Sequence, residues 1–571
     1  MRAWSLSFIV GFSLVVSLGT SGPAAAAQAA ANPCAYQNID PKVWGEQPYQ
    51  PATPIHSVQG VLKATLKVAY SDPKQTSVAG CPVTLRTYNG QLVGPELWAK
   101  PGDKLEVTLV NAIDPLPGTR PDPKDCHPDG DQGEGGTMAP APAVYNVTNL
   151  HTHGLHVSPK GNSDNVFIEL CPGQTKNYEI DIPSDHPAGT FWYHAHVHGS
   201  TALQVSSGLE GALIIEGGVD AVPAIHNAQQ KTLLLQQIAY DETGRIENYD
   251  NFGPGSWADS MRYITVNGQI APKFTMHPGE VQRLRFVDGG IRETIDATVY
   301  GPNAKKVPLY EFATDGLVTG HLDAWKTLEL EPGYRSDVLF KAPLTDPNET
   351  VVYTIRSEPI LGANSLSFRR VKSAALLQSL QSKTVQSQVI AVIEVSGATN
   401  DMPLPTEAEL QKYVPFKPIA DSELTGEPQT VSFSIESNMD CSSTTTACSP
   451  CTTPGVGTCQ QVAFMVDHYQ YPNSPVRKLK LATASQWTLQ IDPSSVAPEH
   501  PFHIHVNPFE MVRTDPNGNP ETIWKDTLMI HQGNDITVRS RYEDYDGAFV
   551  LHCHILDHED GGMMQEVEIV N

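Results

Sequence analysis

A polar–apolar alternation of period two runs through this chain and leaves few folds open to it, because side chains two apart on an extended strand share a face. Leu62, Ala64, Leu66, Val68 and Tyr70 are interleaved with polar Lys63, Thr65 and Lys67. The rhythm returns in Leu105, Val107 and Leu109, in Tyr178, Ile180 and Ile182, in Val431, Phe433 and Ile435, and in Trp487, Leu489 and Ile491. Strands with one wet face must bury the other against a second sheet, so the chain is predicted to be all-β, built of sandwiches or barrels. Helical periodicity is weak, with short helices predicted near Thr406 to Tyr413 and Ser373 to Leu380.

The two ends of the chain echo one another. GTFWYHAH from 189 parallels GAFVLHCH from 547, and NLHTHGLH from 149 parallels PFHIHVNP from 501, so a β-rich unit occurs early and again late. Between about 220 and 420 there are strand-like runs at Arg262 to Asn267, Gln282 to Val287, Val351 to Ile355 and Val389 to Val395, but no H-x-H pair. That stretch reads as a related unit without ligands. Linkers are expected near Glu216 to Ile225 and Thr399 to Glu427, and the 571 residues suit three domains at 50–218, 226–398 and 427–571.

Arg2 precedes an apolar stretch from Trp4 to Leu18, followed by an alanine-rich run from Ala24 to Ala31, which reads as a secretory signal peptide over 1–27. The stretch is shorter than the roughly 20 apolar residues a bilayer span needs, and no later segment is long enough. A secreted or periplasmic protein with no membrane span after signal removal is expected. Nine cysteines fit an oxidising compartment. Cys441, Cys448, Cys451 and Cys459 crowd into a Ser/Thr/Pro/Gly stretch but lack the paired C-x-x-C halves of a zinc ribbon, so disulfides are expected there, with the pairing open. Lys+Arg number 38 against 63 Asp+Glu, and a net charge of −25 repels nucleic acid and anionic lipid.

Of the 20 histidines, twelve sit in four clusters: His151, His153 and His156; His194, His196 and His198; His500, His503 and His505; His552, His554 and His558. H-x-H on a strand sends both imidazoles to one face, where they can grip a metal, and copper, zinc, iron and nickel all suit that ligand. One such pair is often incidental; four, each with a third histidine close by, point to metal. His156 and His198 lie beyond the pairs and read as neighbours of a site or as surface groups. The last cluster indicates which metal. Cys553 stands between His552 and His554, His558 follows five residues later and Met563 ten later, while His500 is available from the preceding cluster. Two imidazoles, a thiolate and a weak thioether make a blue-copper site, and zinc gives no reason for the methionine. Met563 could instead fill a core, and Met564 competes with it for the ligand position.

HTHG from 151, WYHAH from 192, HPFHIH from 500 and HCHILDHEDGGMM from 552 together resemble the multicopper oxidases: laccases, ascorbate oxidase, bilirubin oxidase and the bacterial copper-efflux oxidases. VNGQ from 266, PGE from 278 and PGYRSD from 332 resemble the middle domain of that family. The resemblance implies three cupredoxin-like Greek-key β-sandwich domains and four copper ions. A type 1 copper would take His500, Cys553, His558 and axial Met563; a type 2 copper would take His151 and His503. A type 3 pair would take His153, His194, His196, His505, His552 and His554. The implied partners are a small-molecule reducing substrate, phenolic or aromatic-amine, and O2, acting on a monomer. The donor is expected near His500, the type 1 ligand expected closest to the surface, with electrons passing through Cys553 to its flanking histidines.

Asp164 and Glu559 stand where the resemblance implies acids that serve proton delivery; otherwise they read as a turn former and an exposed acid. HTHG in place of HWHG, and Asn165 where relatives often carry Gly, are departures that remove no ligand. The 11 methionines are scattered, unlike the Met-rich insertion of copper-efflux oxidases. The runner-up expectation is a metallo-oxidase acting on Cu(I), Mn(II) or Fe(II); the non-enzymatic alternative is a copper-binding cell-envelope protein.

Overall fold

The computed structural model describes residues 32–35, 43–114, 145–247, 261–358, 388–443, 445–451 and 458–571. The expected signal peptide and the helix near Ser373 to Leu380 lie outside them. The protein is all-β, and its main sheets gather in three pairs along the chain. In the first pair, a four-stranded sheet runs in the order Arg86–Tyr88, Val61–Tyr70, Lys104–Asn111, Thr175–Asp181. It faces a five-stranded sheet ordered Pro54–His56, Glu96–Ala99, Glu210–Ile215, Gly189–His194, His151–His153. The alternation does what it predicts: Leu62, Ala64, Leu66 and Val68 share one core with Leu105, Val107, Leu109, Tyr178 and Ile180. Each such Leu, Val or Ile side chain contributes roughly 1.5–3 kcal/mol of burial, offset in large part by the entropy of ordering the strands.

The middle pair has two six-stranded sheets. Its strands Met261–Val266, Val281–Asp288, Val351–Glu358 and Gln388–Val395 cover the four runs predicted there except Asn267, which begins the turn after Val266. The helix expected near Thr406 is present as Glu407–Leu410, extended by a 3-10 turn over Gln411–Tyr413. Its start is set by Thr406 and Glu409, whose carboxylate accepts from the threonine N–H at 2.8 Å and hydroxyl at 2.7 Å. The last pair sets a seven-stranded sheet against a five-stranded one ordered Arg477–Lys480, Met564–Val570, Gly547–Cys553, Glu499–Ile504, Thr527–His531.

Disulfides join Cys34 to Cys81, Cys441 to Cys448 and Cys451 to Cys459, so the crowded cysteines form staples rather than a zinc site. Among the described residues Cys553 is the free thiol, and no helix is long and apolar enough to cross a membrane.

Candidate metal centre

Strand parity divides the late histidines between two faces. On Glu499–Ile504, Phe502 and Ile504 point into the core of the last sheet pair, and His500 shares their parity; His503 has the opposite parity. The same holds on Gly547–Cys553: Phe549, Leu551 and Cys553 are core residues, whereas His552 faces the other way. Cys553 Sγ therefore lies inside the sandwich, 3.5 Å from His500 Nδ1 and 3.7 Å from His558 Nδ1, with those two nitrogens 3.2 Å apart. The short helix Leu556–Asp560 delivers His558. The loop that follows is tied back by Met563 N–H to His558 O at 2.9 Å and by Cys553 N–H to Met563 O at 3.0 Å. Met563 belongs to the same core as Cys553, while Met564 packs on another face with Val166 and Val550.

Burial pushes the His500 imidazole down to about 3, with the charge of Arg292 acting in the same direction. Burial likewise lowers His558 and raises the Cys553 thiol. Two neutral imidazoles and a sulfur aimed at one point suit a soft, thiophilic metal. One expectation is corrected here: His500 is 0 % exposed and His558 3 %, so His500 is not the ligand nearest the surface. Phe433 packs edge-on against the His500 ring at 5.9 Å, and Phe464 lies over His558 at 5.1 Å.

The other eight imidazoles meet between the first and last sheet pairs. His194 pairs in register with His151 in the first, and His552 with His503 in the last. Two ring stacks cross the junction, His151 on His505 and His153 on His503, each at 3.9 Å. Nitrogens then face one another: His196 Nε2 is 3.1 Å and His505 Nε2 3.3 Å from His552 Nε2, and His153 Nδ1 is 3.3 Å from His554 Nε2. Three sets converge within 4.8 Å: His196, His505 and His552; His153, His194 and His554; His151, His153 and His503.

The outer nitrogens decide what the inner ones can do. His194 Nδ1 donates to Ala195 O at 2.8 Å, His503 Nδ1 to Asp526 O at 2.9 Å and His552 Nδ1 to Cys553 O at 2.9 Å. His151 Nδ1 donates to the Asp164 carboxylate at 3.0 Å, and His153 Nε2 to Asp526 Oδ1 at 3.2 Å. Each of these acceptors holds the proton on the outer nitrogen, so the inner nitrogen presents a lone pair. His552 and His153 thus turn a lone pair toward His196, His505 and His554 at 3.1–3.3 Å, an array of neutral imidazole nitrogens that can take up a cation, and the donor set fits copper. Burial lowers His151, His153, His196, His505, His552 and His554 well below the ordinary histidine range and His194 to about 3, which keeps them neutral.

Both acids singled out in the sequence are buried beside these rings, neither as a plain turn former nor on the surface. Asp164 bonds His151 and accepts the Thr152 N–H at 2.7 Å; burial raises it to about 7, against the pull of the Thr152 bond. Glu559 Oε1 lies 3.9 Å from His196 Nδ1, and burial, then the charge of Asp560, raises it well above the carboxylate range. His198 is buried in a group with Glu559 and Asp560. His156 sits apart, bonded to Val506 O and Asp544.

Sequence reasoning missed Asp526, Thr527 and Arg335. Thr527 Oγ1 reaches His503 Nδ1 at 3.0 Å and His153 Nε2 at 3.3 Å, and Arg335 grips Asp526 through both guanidinium arms. Arg335 lies inside PGYRSD, which was visible as a motif; no spacing along the chain signals Asp526.

Models described as multicopper oxidase match residues 143–219 and 449–571, which contain the histidine pairs. A multicopper oxidase of Staphylococcus aureus is 23 % identical over 507 residues, covering 84 % of this chain and 83 % of that protein. A laccase of Bacillus stratosphericus is 25 % identical over 534 residues, covering 86 % and 91 %. The solved structure of a multicopper oxidase from Campylobacter jejuni, described as a metallo-oxidase, superposes with a TM-score of 0.63 at 22 % identity over 94 % of this chain and 98 % of that one. With both histidine-bearing ends matched by multicopper oxidase models, relatives aligned along most of their length and the fold shared, the chain carries multicopper oxidase domains at 143–219 and 449–571 and is similar to the oxidoreductases of that family, which imply copper cofactors.

Proposed function

We propose that this chain is a secreted laccase-like oxidase that takes single electrons from phenolic or aromatic-amine donors and delivers them to O2. The observation that carries the reading is the tripeptide His552–Cys553–His554, whose sulfur enters one metal group and whose two rings enter the other. In this reading His500, Cys553, His558 and Met563 would hold a type 1 copper, and His151 and His503 a type 2 copper. His153, His194 and His554 would hold one ion of a type 3 pair, and His196, His505 and His552 the other, four ions in all. Bound copper would supply one-electron acceptance at the thiolate group and, at the imidazole group, conversion of O2 with four electrons and four protons to two waters.

The chain's own residues do the rest. Covalent bonds of a single tripeptide join the two groups, so donor oxidation and oxygen reduction can lie on separate faces. Asp164 and Glu559 are buried carboxyls at the rings His151 and His196, placed to hold and pass the protons that water formation consumes. Units at 50–218, 226–398 and 427–571, export through a 1–27 signal and a monomeric state belong to the same proposal; the disulfides support an oxidising compartment.

The metallo-oxidase reading is the second choice, supported by the likeness to the Campylobacter jejuni multicopper oxidase described as a metallo-oxidase; the full burial of His500 keeps organic donor and metal ion alike from touching it. The test is to load the purified chain with copper, measure metal content and blue absorbance, and follow O2 uptake with a phenol, an aromatic amine and Cu(I). A blue protein with about four coppers that consumes O2 with the organic donors supports the first reading. Uptake with Cu(I) alone moves the function to the second, and a colourless chain that binds little copper removes both.

A further inference from the structure

The middle sheet pair supplies none of the grouped histidines, yet it presses on the imidazole group at two points, both within PGYRSD. A Cβ on Gly333 would lie 2.9–3.0 Å from ring atoms of His554, and Gly333 has φ +90°, so only glycine lets this loop reach the ring. Arg335, fully buried, donates through Nη1 to Asp526 Oδ1 at 2.8 Å and through Nη2 to Asp526 Oδ2; the same arms reach Gly333 O and Asp315 O, each at 2.9 Å. Asp526 in turn meets two imidazoles, His153 by its carboxylate and His503 by its main-chain oxygen. Asp315 pins the same segment, accepting the N–H groups of Asp526 and Thr527 at 3.2 Å each and the Lys525 ammonium at 3.1 Å. Gly154 of HTHG completes the fit: a Cβ there would overlap Arg335 Nη2 and lie 2.7 Å from Asp526 Oδ2.

We propose that Arg335, acting through Asp526, is the positioning residue that sets the ring orientation and proton placement of His153 and His503, so that metal retention at the corner shared with His151 depends on the middle sheet pair. The proposal rests on the copper reading above. The chemistry is that of an outer acceptor. A carboxylate clamped on both oxygens by a permanently charged, planar guanidinium has one orientation left, and that orientation faces His153. Thr527 Oγ1, donating to Asp526 Oδ1 at 2.8 Å, extends the same grip to both rings. Lysine at 335 keeps the charge without the two-pronged hold, and glutamine removes the charge.

The test compares the copper-loaded parent with Arg335→Lys, Arg335→Gln and Asp526→Asn by competition against a copper chelator, with electron paramagnetic resonance read at each step. The expected result is that the type 2 signal disappears at about 10- to 100-fold less chelator in Arg335→Gln and Asp526→Asn, with a smaller shift in Arg335→Lys, while the type 1 signal and blue colour keep their amplitude. The double variant is expected to lose no more than the worse single one, because both act through one contact. Equal chelator sensitivity of parent and variants overturns the proposal. So does a parallel loss of both signals, which reports general loosening of the fold. A parent that itself shows neither signal would instead mark failure of the copper reading. If Arg335→Gln does not fold, Arg335→Lys and Asp526→Asn carry the same comparison.

Discussion

The thiolate group and the imidazole group lie on opposite faces of one tripeptide but are built on different scales. His500 and Cys553 come from one sheet pair, and His558 and Met563 from the short helix and loop that directly follow Cys553; their core neighbours Phe433, Phe502 and Leu551 come from the same sheet pair. The eight imidazoles come half from residues 151–196 and half from 503–554, with Arg335 and Asp315 of a third region holding Asp526 in place. A group made inside one sandwich forms when that sandwich forms. A group made at a junction needs the sheet pairs packed against one another, so it depends on that packing as well as on its ligands.

The sharpest way to break this comparison is Cys553→Ser. It is expected to abolish the blue absorbance and bring oxidation of every donor to background, while metal analysis shows the imidazole group still loaded. Loss of all copper would mean that the two groups are not independently held. A second experiment acts on the other face. Asp164→Asn and Glu559→Gln are expected to keep the blue colour and the reduction of the type 1 centre by donor, but to slow oxygen consumption by about 100-fold or more. Stopped-flow bleaching of the colour against O2 uptake separates the two steps, and unchanged uptake in both variants would remove the proton role.

The smallest effect concerns the docking itself. Arg513 bridges the last and middle sheet pairs by ion pairs to Glu311 at 2.7 Å and Asp323 at 2.6 Å, and it also holds Glu521. Burial raises Asp323 from 3.8 to about 6, opposed by Arg513 and assisted by the charges of Glu521 and Glu311. The folded protein therefore binds a proton there more tightly than the unfolded chain. This group's contribution to stability is present below about pH 4 and is lost as pH rises through about 6. Asp323→Asn is expected to flatten the slope of thermal stability across that window by an amount on the order of 1 kcal/mol. A slope that steepens or does not move contradicts the assignment.

Much of the site was legible before the structure because it is written in parity. H-x-H places two rings on one face, and H-C-H places a sulfur on the opposite face, whatever the surrounding fold. The separate burial of Cys553 with the core and of His552 at the junction follows from that rule alone. What separates Met563 from Met564 is visible only in the sandwich: both are buried, but Met563 shares the core of Cys553 and Met564 packs with Val166 and Val550. The exposure of His500 was misjudged because it depends on what packs above the ring, including Phe433, far away in sequence.

The amino-acid order by itself determined the strand periodicity, the division of the late histidines between two faces and the donor chemistry that selects copper, because each follows from residues a few positions apart. The tertiary structure alone decided that Arg335 of a region without those histidines would clamp Asp526 beside His153 and His503, and that glycines at 154 and 333 would let the three parts approach. Those contacts span 191 residues for the Arg335–Asp526 pair and 373 for His153–Asp526. No local pattern encodes a hydrogen bond at that separation; it exists only because the packing of the sheet pairs brings distant segments together.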